Sequence, residues 1–148
     1  MEKRQLSFDS YGEVLQEIES LEKTGYEIKG KWSLGQACSH LDYYYRGSLD
    51  GFDHMFPWIV RLLLGKPALW WYMRVGDKEG NPTAPDSVPP QNVDEDKAIR
   101  SIKDSLRRLA SAERLHPSGL FGALSVAQWK NLHLKHAAHH LGFLIPKT

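Results

Sequence analysis

The stretch "SVAQWKNLHLKHAAHHLGFL", Ser125 to Leu144, decides how the chain is read. It opens on Ser125 followed three residues later by Gln128, a pairing in which each side chain caps the other's orphan backbone donor at a helix start. Pro146 prevents the helix from continuing far past Leu144. The spacing therefore predicts a helix over Ser125–Leu144, and that helix carries four of the chain's seven histidines. Projected at about 100° per residue with His136 at zero, His140 falls near +40°, His133 near +60° and His139 near −60°. On the same scale Trp129, Leu132 and Phe143 lie at roughly +20°, −40° and −20°, so His136 is central to an apolar face. Leu134, Ala138 and Leu141 point the other way. A helix apolar over so much of its circumference is either central or meets a partner.

The same serine-plus-three signature recurs at Ser10 with Glu13 and at Ser33 with Gln36. After Ser10, the residues Tyr11, Val14, Leu15, Ile18 and Leu21 share a face, and Gly25 suits a stop. After Ser33, Ala37, His40, Leu41, Tyr44 and Ser48 share a face until Gly51. A further helix follows the acidic run Asp94–Asp96, whose charge suits a helix N-terminus. Its stripe is Ile99, Ile102, Leu106 and Leu109, and the opposite face with Arg100, Lys103, Asp104, Arg107 and Arg108 reads as solvated. Between the second and third of these helices lies an irregular connection. It holds the Trp-rich segment, with room for one short helix, and then "GDKEGNPTAPDSVPPQN", which contains four of the eight prolines and reads as a surface loop. No run alternates clearly enough to be a strand. The expected class is all-α, a four-helix bundle with one long connection.

At 148 residues the chain fits one domain, 1–148. Hydrophobic residues at 41% and charged residues at 25% are globular values, and a formal charge of +1 gives no nucleic-acid footprint. Cys38 is the only cysteine, so no intrachain disulfide can form, and the N-terminus "MEKRQLSFDSYGE" lacks the apolar run of a secretory signal. A cytoplasmic location is the expectation. "FPWIVRLLLGKPALWWYM", Phe56 to Met73, is apolar and aromatic, but it carries Arg61 and Lys66 and is broken by Pro57, Gly65 and Pro67. A membrane span needs about 20 nearly uninterrupted apolar residues, so this segment reads as core or as a subunit interface, and no membrane partner is expected.

Two imidazoles on an apolar face need partners, since an unsatisfied buried polar group costs about 1–3 kcal/mol. His136 and His140, one helical turn apart, can reach a common ion, although such a pair also occurs on many helices without one. His40 on the second helix is the natural third ligand, and three histidines with one open position form the arrangement of a catalytic metal rather than a closed structural one. Imidazoles suit zinc, nickel, copper or iron. Cys38 sits two residues from His40, on another helix face, and reads as a small buried hydrophobe. Asp42, Tyr43, Tyr44 and Tyr45 are candidates to donate a proton or orient a ring, with core aromatics and a surface carboxylate as the simpler account. Glu113 and His116 make one E-x-x-H, but di-iron bundles need two, and no second exists.

The segments "QACSHL", ending in His40 and Leu41, and "HAAHHLG", holding His136 and His140, resemble the DinB/YfiT-like superfamily of metalloenzymes. The stretch "HPSGLFGALSVAQWKNLHLKHAAHHLGFL" is similar to one of its families known only as a domain of unknown function, through His116, Pro117, Phe121, Gly122, Leu124 and Trp129. Phe143 stands where many such proteins have Gln. The resemblance implies a four-helix bundle with a divalent transition metal, zinc or nickel foremost, on His40, His136 and His140. It implies a thiol S-transferase or small-molecule hydrolase acting on a small molecule such as a low-molecular-weight thiol, with Tyr44, His116, Trp129 and His133 as pocket candidates. The alternative is a non-catalytic bundle with a vestigial metal site that binds or dimerises. A homodimer is expected, through Phe56–Met73 or the back of the last helix.

Overall fold

The computed structural model describes residues 2–78 and 83–148, so residues 79–82 of the proline-rich loop lie outside the described residues. The chain is mostly helical. In order it forms α1 (Tyr11–Thr24), β1 (Tyr26–Ile28), α2 (Leu34–Asp50), α3 (Trp58–Val75), a 3₁₀ turn (Pro85–Ser87), α4 (Glu95–Ala110), α5 (Val126–Leu141) and β2 (Leu144–Pro146).

Capping chemistry sets the helix starts. Ser33 and Ser125 form complete reciprocal boxes with Gln36 and Gln128, and the Asp94 carboxylate accepts from the Lys97 N–H at the start of α4. At α1 the expected box is shifted: Ser10 Oγ accepts from the Glu13 N–H at 3.2 Å, while the Glu13 carboxylate reaches back to the N–H of Asp9.

Helices α1, α2, α4 and α5 meet around one core that contains Val14, Ile18, Leu41, Ile102, Leu106 and Leu141 among others. The closest seam joins α2 to α4, where a Cβ on Gly35 would stand 2.9 Å from Glu95 Cα, so only glycine admits this approach. Across that seam the buried Asp42 carboxylate accepts from Ser101 Oγ, Ser105 Oγ and Arg46 Nε. Asp42 is therefore neither a surface carboxylate nor a partner of the histidines, because it faces α4.

A second, smaller core of Leu69, Leu124, Trp129 and Leu132 lies between α3, α5 and the segment before α5. Helix α5 is consequently apolar on two sides. Leu134, Ala137 and Leu141 face the main core, and Trp129 and Leu132 face the second. His136 and His140 lie on the Trp129–Leu132 side of the helix, further toward its C-terminus.

Three expectations need correction. The Trp-rich segment is an 18-residue helix with Pro67 inside it, not a short one. Its apolar residues point in every direction, so no stripe revealed it. The last helix stops at Leu141, and Leu144–Pro146 instead pairs antiparallel with Tyr26–Ile28, Glu27 opposite Ile145. Three-residue strands are too short to show alternation, and only the pairing of distant segments makes them strands. No helix among the described residues is long and apolar enough to cross a membrane.

Candidate metal centre

Helix α2 brings His40 inward, and α5 brings His136 and His140 to meet it. The Nε2 atoms of His40 and His140 each lie 3.1 Å from His136 Nε2, and ring nitrogens of all three fall within 4.8 Å of one another. Ligands about 2.0–2.1 Å from a tetrahedral zinc stand about 3.3 Å apart, so the spacing suits a shared ion.

The proton positions support the same fit. His40 Nδ1 lies 3.0 Å from the carbonyl oxygen of Ser87, which can only accept, so the His40 Nδ1–H donates and Nε2 keeps its lone pair. That is the orientation a metal-ligating histidine needs, set by a backbone carbonyl. His136 Nε2 faces two other ring nitrogens and can donate to at most one. Three neutral imidazoles therefore cannot satisfy each other, whereas one cation would accept a lone pair from each.

Burial favours neutral rings. It holds His136 well below the usual imidazole value, helped by His140 and His40 beside it, and lowers His40 against the opposing pull of the Ser87 carbonyl. Burial, reinforced by His40, brings His140 down to about 2. All three are uncharged at neutral pH, the state that binds metal.

Aromatic rings wall the cluster. Trp32 stacks on His140 at 5.2 Å between centroids and tilts over His40 at 4.7 Å. Tyr44 stands edge-on to His40 and His136, and its hydroxyl donates to Ser87 Oγ at 3.3 Å and lies 3.1 Å from Thr83 Oγ1. Beside His140, the His139 ring opens onto a surface groove of about 450 Å³ lined by Lys3, Asp77, Lys78 and Phe143 among others. Asp77 accepts a hydrogen bond from the Tyr72 hydroxyl and contributes a weak upward pull on His40.

Of the pocket candidates, only Tyr44 touches the cluster. His133 is buried with Ser48 Oγ 2.9 Å from its Nε2, stacked on Trp129 and edge-on to Tyr45, and burial alone takes it to about 3. Trp129 is core, its indole N–H donating to the His116 carbonyl. His116 is exposed, its ring beside Gly51. Tyr45 and Cys38 lie in the main core, where burial pushes the Cys38 thiol up and leaves it a poor nucleophile. Phe143 packs on Gly30 and His139 rather than on the triad. Trp32 and Ser87 escaped the sequence reading. A tryptophan directly before a helix-capping serine was a usable signal, but nothing in a proline-rich loop marks one carbonyl as a histidine's partner.

Fold and site define a mostly helical protein with a buried cluster of three histidines contributed by two helices. The chain belongs to a family described as protein of unknown function (DUF1569), which it matches over residues 1–147. No curated protein and no solved structure matches it.

Proposed function

We propose that this protein is a metal-dependent enzyme on a DinB/YfiT-like four-helix bundle of α1, α2, α4 and α5. In this reading His40, His136 and His140 bind one divalent transition ion, zinc or nickel. The reaction is S-transfer from a low-molecular-weight thiol or hydrolysis of a small molecule. The carrying observation is the convergence of three Nε2 atoms with the His40 lone pair directed inward by Ser87. An ion held there would supply Lewis acidity that lowers the pKa of a water or thiol nucleophile.

The chain's own residues do the rest. Three ligands leave one position for the nucleophile. Trp32 and Tyr44 shield the rings from water on two sides, and the Tyr44 hydroxyl, tethered to Thr83 and Ser87, is placed to hold a proton at the rim. The nearest surface groove, beside His139, carries Lys3, Lys78 and Asp77, groups of both signs for a charged substrate.

Elemental analysis of protein purified without a histidine tag, wild type beside His40→Ala and His136→Ala, tests the reading. About one ion per chain, lost in both variants, is expected. Metal-free wild type, or metal retained in either variant, would defeat it and leave a non-catalytic helical module as the better account.

A further inference from the structure

We infer that α3 is the surface through which two copies of this chain associate. The inner side of α3 is well seated: Gly65 lies so close to the Phe121 backbone that a Cβ there would stand 2.7 Å from its carbonyl oxygen, and Leu69 enters the second core. The rest of the helix is apolar and uncovered. Trp58, Leu62, Leu63, Leu64, Trp70 and Trp71 are each 57–67% exposed. At about 200 Å² for a whole large side chain, these six together with Ile59 present roughly 800 Å² of apolar surface. A typical monomer's largest apolar patch is about 300–600 Å², whereas each partner in a standard interface contributes about 800 Å². Summed around the helix, this uncovered apolar surface exceeds what a monomer ordinarily leaves unpartnered and is about what one copy brings to a dimer.

Charge and shape select a second copy over an anionic lipid surface. Residues 54–76 include Arg61, Lys66 and Arg74 and no acidic residue, which at first suits lipid phosphates. Each cation is engaged within its own chain, however. Lys66 Nζ donates to the Ala123 carbonyl at 2.7 Å, Arg61 Nε donates to the Phe56 carbonyl at 2.9 Å, and the Arg74 guanidinium sits 4.9 Å from the Trp70 ring centre. The apolar side chains also wrap the helix: Leu62 and Trp71 point about 180° apart. A bilayer plane meets one stripe of a helix, whereas the uneven surface of a second copy can cover side chains on more than one side of α3.

Light scattering on the eluting 148-residue chain at micromolar concentration, wild type beside Leu63→Glu and Trp70→Glu, decides the matter. A wild-type dimer is expected, with self-association weakened about tenfold or more in each variant. Both side chains point away from the cores, so helical circular dichroism should be unchanged, and Leu63→Ser tests the same contact if Leu63→Glu does not fold. A monomeric wild type, or a dimer that both variants retain, would overturn the inference. So would a monomeric wild type that sediments with vesicles containing phosphatidylserine, since the face would then belong to the membrane. Metal content plays no part in this test, so its failure leaves the metal reading standing and the reverse.

Discussion

His133 and His140 sit on one helix and are both pulled far below the ordinary imidazole value, but for different ends. His140 joins the triad, while His133 is sealed in the interior with Ser48 as its partner. Burial takes His133 to about 3 and His140 to about 2. Unfolded, each titrates near 6.5, so between about 3 and 6.5 the unfolded chain binds protons that the folded chain refuses. The stability these rings allow is complete above pH 6.5 and is lost as pH falls toward 3. In urea titrations of metal-free protein, the unfolding midpoint should drop steadily from pH 7 to pH 4, and His133→Phe should flatten that slope. An unchanged slope in His133→Phe would assign the acid sensitivity to other groups. The three clustered histidines were legible because an i,i+4 pair and a lone inward histidine leave a pattern in one dimension. Ser87, which orients His40 through its carbonyl, leaves none, because any residue there carries the same backbone oxygen.

The seam between α2 and α4 shows how much one side chain can hold at the level of elements. Asp42 gathers two serine hydroxyls from α4 and Arg46 from its own helix, and Ser105 has no exposure at all. Asp42→Ala would leave these donors without their acceptor inside a close-packed seam, a loss of about 3 kcal/mol by the usual cost of breaking a buried polar cluster. Denaturant unfolding would measure it, and a loss below about 1 kcal/mol would mean the hydroxyls find other partners. Helices α1 and α4 were readable in advance, since each has a capping residue, one apolar stripe and a solvated back, whereas α2 was readable from its capping box and its apolar stripe although it is buried over most of its circumference. Helix α3 was not, since apolar residues on every side carry no period and Pro67 argues for a break. Pro67 is tolerated on the outward face, where it is exposed.

At the scale of the molecule, the two cores lie on different sides of α5, and the histidine cluster joins α2 to α5 through three side chains. An ion held by the cluster would tie α2 to α5, and binding only the folded state it would raise stability. At a free concentration one hundred times the dissociation constant the gain is about 2.7 kcal/mol. For a chain of this size that is a Tm shift of roughly 5–10 °C, so chelation should lower the Tm by that amount and readdition of zinc or nickel should restore it. A Tm indifferent to chelator and to added ion would argue against a site loaded in the folded state. The sequence by itself determined what is local or periodic: helix starts, the stripes of α1, α2 and α4, and the spacing of His136 and His140. The tertiary structure decided what depends on distance: the rotation of α2 against α5 that brings in His40, the pairing of residues 26–28 with 144–146, and the burial of Asp42 and His133. The reason is physical. Caps and amphipathic stripes are interactions within a few residues of chain, whereas a ligand set, a strand pair or a buried carboxylate exists only once segments about 60 to 120 residues apart are packed together.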